Sequence, residues 1–207
     1  MLGKFITIEG IDGAGKSTHT NWLSEYLLQK GIQTVKTYEP GGTEIADKIR
    51  DLIKDKDNKG LCKKAELMLF MASRAEHFDK RIKPALLRGE TVVCDRFVDS
   101  TVCYQGFAHG LDIDTIENIQ KFVTDGTKID LTLWLDIKPE DGFARKGGLD
   151  RDDRMELYDK AFYDSVYKGF ETLAKKNKRR MVRIDASGSI QETQAQIKCQ
   201  VDRLLGF

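Results

Sequence analysis

Five short runs rich in apolar and β-branched residues punctuate the chain, at 4–9, 33–38, 91–95, 131–136 and 181–185. Each has the length and composition of a strand, and between them lie longer stretches in which apolar residues return every three or four positions. Those stretches, at roughly 16–30, 43–55, 64–88, 112–124, 152–176 and 189–205, predict helices. Strands alternating with helices imply an α/β fold, a parallel sheet of about five strands with helices on both faces. Gly31 and Gly89 stand where helix C-caps are expected, just before strands. No repeat or linker divides the pattern, so residues 1–207 read as a single domain. The charged segment from Arg145 to Arg154 fits neither sheet nor core and reads as a mobile flap, with a lid at about 142–154.

Composition narrows the partners. Among 207 residues, 34 Lys+Arg nearly balance 33 Asp+Glu, a net charge of +1, so no overall field draws the chain to nucleic acid or membrane. The basic run from Lys175 to Arg180 is placed where a helix C-terminus favours cations. Cys62, Cys94, Cys103 and Cys199 lack metal-binding spacing and read as free thiols in a reducing cytoplasm. With the first strand expected from residue 4, no leader is expected, and runs such as Leu131–Leu135 are far too short to span a bilayer.

The chemistry concentrates first at Gly10-Ile11-Asp12-Gly13-Ala14-Gly15-Lys16-Ser17, a G-x-x-x-x-G-K-S phosphate-binding loop followed by Thr18. It lies between the first strand and the first helix, the context that gives the motif its meaning. Its backbone N–H groups and the helix N-terminus form an anion cradle. Lys16 is placed to reach β- and γ-phosphates, and the Ser17 hydroxyl to ligate Mg²⁺. The loop predicts binding of a nucleoside triphosphate.

Such a loop serves switches, motors and kinases alike. A guanine-selecting Asn-Lys-x-Asp is absent from the sequence, which argues against a GTPase switch. The strand-end acids Asp95 and Asp136 are followed by Arg96 and Ile137 rather than by the glutamate a motor uses to polarise water. Arginines instead gather near strand ends and on facing helices, at Arg50, Arg74, Arg96 and Arg154. Several guanidinium forks suit a kinase that aligns two anionic substrates.

Three further motifs identify a family. Glu39-Pro40-Gly41-Gly42-Thr43 follows the second strand; Asp95-Arg96 precedes Ser100-Thr101-x-x-Tyr104-Gln105-Gly106; Asp153-Arg154-Met155-Glu156 precedes a long helix. With the phosphate loop, these resemble thymidylate kinases of the bacterial type over nearly the whole chain. The resemblance implies a P-loop nucleoside monophosphate kinase-like fold. It also implies direct transfer of the γ-phosphoryl group of ATP, with Mg²⁺, to dTMP, and assembly as a homodimer through helices packed beside the core. A kinase for another acceptor, such as dUMP or unphosphorylated thymidine, and a non-catalytic ATP-binding regulator are the alternatives.

The resemblance also assigns roles. Arg50 and Arg96 would hold the acceptor phosphate, and Glu39 and Ser100 would belong to the same pocket. Phe70 would stack on thymine and Arg74 donate to its O4; the two lie four apart on one helix, and the apolar surround makes a core place for Phe70 the second reading. Thr101 and Gln105 would meet the other base edge, and Tyr104 would close over the sugar. Asp12 would bind the 3′-OH. Where related eukaryotic chains carry an arginine, this chain has Gly13, and Arg154 of the lid would supply the missing charge to the transferring group alongside Lys16. Arg145, Lys146 and Arg151 are further lid cations. Asp95 would hold the metal with Ser17, Glu9 being a competitor. Tyr38 stands where many relatives carry an arginine.

Overall fold

The computed structural model describes residues 3–146, 154 and 158–207. All five expected strands are present: β1 (Phe5–Glu9), β2 (Thr34–Tyr38), β3 (Thr91–Asp95), β4 (Leu131–Asp136) and β5 (Met181–Asp185). They form one parallel sheet in the order β2-β3-β1-β4-β5. Strand periodicity divides the core. Ile6, Ile8 and Val93 pack with Leu23, Leu27, Ile197 and Val201, while Phe5, Val92 and Cys94 pack with Phe78, Ile82 and Leu86. Burial of β4 is complete along its length, as a strand covered on both faces requires.

The helices α1 (Lys16–Gln29) and α2 (Glu44–Lys54) follow their expected limits. The long predicted helix at 64–88 is observed as α3 (Lys63–His77), a π-helical run at Phe78–Ile82, and α4 (Lys83–Leu87). Val98–Thr101 forms α5 and continues into a second π-helical run, Val102–Ala108, in a segment where the sequence pattern gave no helix. Polar residues interrupt its apolar period because they face a cavity rather than the core. Next come α6 (Ile113–Val123) and α7 (Pro139–Lys146). The expected helix at 152–176 is shorter: α8 (Lys160–Lys176) starts where the Asp159 carboxylate accepts from Phe162 N. The chain closes with α9 (Ile190–Leu205), whose Ser189 and Glu192 form a reciprocal capping box.

Two readings of the flap change. Arg145 belongs to α7, and Arg154 is buried, contrary to a segment foreign to any core. The remainder of the expected lid, including Arg151 and the side chain of Lys146, lies outside the described residues. All four cysteines are unpaired, Cys94 and Cys103 buried, Cys62 and Cys199 exposed. Among the described residues no helix is long and apolar enough to cross a membrane.

Candidate active site

The phosphate loop joins β1 to α1 at the carboxyl edge of the sheet, where the strand order places later strands on either side of β1. Gly15 caps α1 in the left-handed conformation, φ 85°, and no side chain caps the helix N-terminus. Its first N–H groups are thereby left to an anion. A cavity of about 580 Å³ opens over this edge, lined by Asp12, Gly13, Gly15, Lys16, Ser17 and Thr18 of the loop, with Asp95, Arg96 and Arg145 opposite. Lys16 Nζ donates to Ile11 O at 2.7 Å and lies 3.6 Å from Asp12 Oδ1. Burial and the Arg96 charge lower its pKa to about 8, against the opposing pull of Asp12 and Asp95.

A second cavity, about 230 Å³, adjoins the first. All the residues expected to receive the acceptor line it: Asp12, Glu39, Arg50, Phe70, Arg74, Arg96, Ser100, Thr101, Tyr104 and Gln105. Asp12, Glu39, Arg50 and Arg96 line both cavities and so form the wall between them. At the center of that wall, Arg96 adopts φ 65°, a conformation rarely tolerated outside glycine. Its Nη2 lies 2.5 Å from Asp12 Oδ1 and donates to the Tyr104 hydroxyl at 3.3 Å, while Nη1 donates to Gly10 O and Ser100 Oγ. The guanidinium also stands 5.1 Å from the center of the Tyr104 ring. Burial raises the pKa of the Tyr104 phenol, keeping it a neutral donor.

Arg50 donates to Pro40 O at 2.7 Å and its guanidinium lies 5.4 Å from the Tyr38 ring center. Tyr38, whose hydroxyl donates to Asp47 Oδ1, thus supports Arg50 at the position where an arginine was missing. Arg74 is 2% exposed; its Nε donates to Glu39 Oε2 at 2.7 Å, Nη1 to Gln120 Oε1 and, at 4.0 Å, to Met71 Sδ, and one N–H of Nη2 to Thr101 Oγ1, which leaves the second N–H of Nη2. The other oxygen of Glu39 pairs with His77 Nδ1 at 3.0 Å. Glu39 therefore orients Arg74 from within the wall. Phe70 is half-buried, lines the cavity and packs against the core with its remaining surface.

Two assignments separate in space. Arg154 does not line the phosphate-loop cavity; it pairs with Glu66 at 2.8 Å and donates to Ile53 O and to the Tyr158 hydroxyl. Arg145, which does line that cavity, donates to the carbonyls of Ala186, Ser187 and Gly188. Glu9 is fully buried, accepts from Phe97 N and Ser100 Oγ, and lines neither cavity. Burial and the nearby Asp99 charge raise its pKa to about 7. Asp95 instead sits at the loop, its Oδ2 accepting from Ser17 Oγ at 2.6 Å. One hydroxyl and one carboxylate at a cavity rim fit Mg²⁺, which takes its remaining ligands from phosphate and water. Glu66, His77 and Gln120 were missed in the sequence; a polar residue on an apolar helix face was the only available signal.

Comparisons with known proteins agree with this geometry. Residues 8–197 match the family model described as thymidylate kinase. A thymidylate kinase of Exiguobacterium sp. is 44% identical over 197 residues, covering 95% of this chain and 93% of the relative. One of Synechococcus sp. is 45% identical over 193 residues, 93% of this chain and 92% of the relative. The crystal structure of thymidylate kinase from Ehrlichia chaffeensis superposes with a TM-score of 0.81 at 35% identity, covering 98% of this chain and 99% of that one. With family match, relatives and cavity geometry in accord, the chain belongs to the thymidylate kinase family.

Proposed function

We propose that the protein phosphorylates dTMP to dTDP by direct, in-line transfer from ATP. The observation that carries this is the shared wall: Asp12, Glu39, Arg50 and Arg96 line both a phosphate-loop cavity and a smaller pocket furnished with aromatic and guanidinium groups. Two substrates bound on either side would meet phosphate to phosphate across Arg96 and Arg50, and such alignment supplies much of the catalysis of phosphoryl transfer. Lys16, freed from Ile11 O, would follow charge onto the β- and γ-oxygens. Asp12 would accept from the 3′-OH, and Tyr104 would cover the sugar. Phe70 would stack on the base, with Arg74, Thr101 and Gln105 around its edge. Ser17 and Asp95 would hold Mg²⁺, whose charge neutralizes the bridging phosphate oxygens. Arg154 joins this set only by exchanging Glu66 for a phosphate; Arg145, Lys146 and Arg151 would border the same nucleotide.

The exposed apolar residues Ile45 and Leu52 of α2 and Met68 of α3 favor a homodimer that covers them, which sedimentation velocity would test. Unpaired cysteines favor a reducing cytoplasm. A coupled assay of ADP release tests the reaction itself: dTMP-dependent release is expected, and release with no acceptor preference contradicts it.

A further inference from the structure

Gln105 is 1% exposed and lines the acceptor cavity. Its side-chain nitrogen donates to Glu66 Oε1 at 2.9 Å. Glu66 is equally buried, and its carboxylate is held from every side. Oε1 also meets His109 Nε2 at 3.1 Å; Oε2 pairs with Arg154 Nη2 at 2.8 Å and accepts from the Tyr158 hydroxyl at 3.4 Å. Burial by itself would raise the pKa of Glu66, but the hydrogen bonds from His109, Gln105 and Arg154 bring it down to about 2. An ionized carboxylate can only accept, so it admits only the NH₂ side of the Gln105 amide. The amide carbonyl is then the polar atom that Gln105 offers to the cavity. Among the described residues no donor reaches that carbonyl.

Nearby, the guanidinium of Arg74 can only donate. The cavity thus sets a fixed acceptor beside a fixed donor. A thymine or uracil edge, N3–H beside O4, complements that order. A cytosine edge, a bare N3 beside an amino group, opposes it at both points.

We propose that Glu66 is a positioning residue for base selection: its carboxylate locks the Gln105 amide with the carbonyl toward the cavity, so that the pocket demands a pyrimidine carrying N3–H. This rests on the reading of the pocket as the dTMP site. Glu66 touches no substrate; it acts through Gln105. Loss of the lock lets the amide turn over and present NH₂ to a bare N3.

The test compares dissociation constants for dTMP and 5-methyl-dCMP, which share the ring methyl and differ at N3 and position 4. Calorimetry on the wild type and on Glu66→Gln, with melting temperatures alongside, gives the ratio of the two constants. Glutamine at 66 both donates and accepts, so Gln105 is no longer held one way. The preference for dTMP over 5-methyl-dCMP should fall about tenfold, the discrimination expected of one hydrogen bond. The penalty from Arg74 is common to both proteins and cancels from the comparison. Glu66→Asp retains the charge facing Arg154 and His109 while withdrawing the carboxylate by one methylene, and should shift the ratio in the same direction. A ratio unchanged in a folded variant, or both ligands weakened by one factor, overturns the role of Glu66. A wild type that binds no dTMP overturns the pocket assignment itself.

Discussion

Gly13 and Gly142 meet backbone to backbone. A Cβ on Gly13 would stand 1.8 Å from Gly142 O, and one on Gly142 would stand 2.6 Å from Asp12 O. The phosphate loop is therefore wedged against α7, with Gly13 at φ 79°. No side chain fits at position 13 without moving one of the two backbones, which accounts physically for the absence of an arginine there. Alanine at either position should lower the melting temperature by about 3–10 °C, from roughly 1–3 kcal/mol of strain. It should also weaken ATP binding at least ~10-fold by displacing the cradle. Thermal melts and ATP titration of the two variants check this.

Arg96 reaches Asp12, Gly10, Ser100 and Tyr104 with one planar fork. Lysine keeps the charge but cannot span those partners. Arg96→Lys is expected to lower kcat/KM for dTMP by ~10²-fold or more, by analogy with lost guanidinium contacts in phosphoryl transfer. The KM for ATP should change far less. Steady-state kinetics with each substrate varied in turn separates the two.

Glu9 carries a pH signature. Its folded-state pKa, near 7, exceeds the ordinary 4.5, through burial and then the Asp99 charge. The folded protein thus binds more protons than the unfolded chain between those values. Its contribution to stability is complete below pH 4.5 and is lost as pH rises through 7. Urea unfolding from pH 4.5 to 8 should show a downward trend that Glu9→Gln flattens; parallel profiles for the two proteins would reject this account of Glu9.

Arg154→Ala removes a guanidinium from buried Glu66 and from Ile53 O. Melting temperature should fall because a buried carboxylate loses a charged partner. If Arg154 also reaches phosphate during turnover, kcat should fall ~10²-fold, as for other arginines that stabilize a transferring group. Unchanged kcat beside a lowered melting temperature would confine Arg154 to its place against Glu66.

Strand periodicity and the loop motif made the sheet and its phosphate edge legible, because both are set by residues close in sequence. Motif resemblance pointed to a set of residues far apart in sequence, and Arg50, Arg74, Arg96, Tyr104 and Gln105 of that set line one cavity. What stayed hidden depends on distant pairing. The 98–108 helical segment carries polar residues into that cavity, so its period is obscured. Glu39 with His77, and Glu66 with Gln105, are buried polar partners 38 and 39 residues apart, which no local pattern reveals. The burial of Arg154, read as a lid cation, stayed hidden for the same reason: its partner Glu66 lies far away along the chain.

The most direct measurement is acceptor-dependent ADP release with ATP and Mg²⁺, run in parallel with dTMP, dUMP, dCMP, dAMP, dGMP, thymidine and no acceptor. Release with dTMP far above every other acceptor, and none above background with thymidine, is the predicted result. Equal release across the panel, or none with dTMP, would contradict the account.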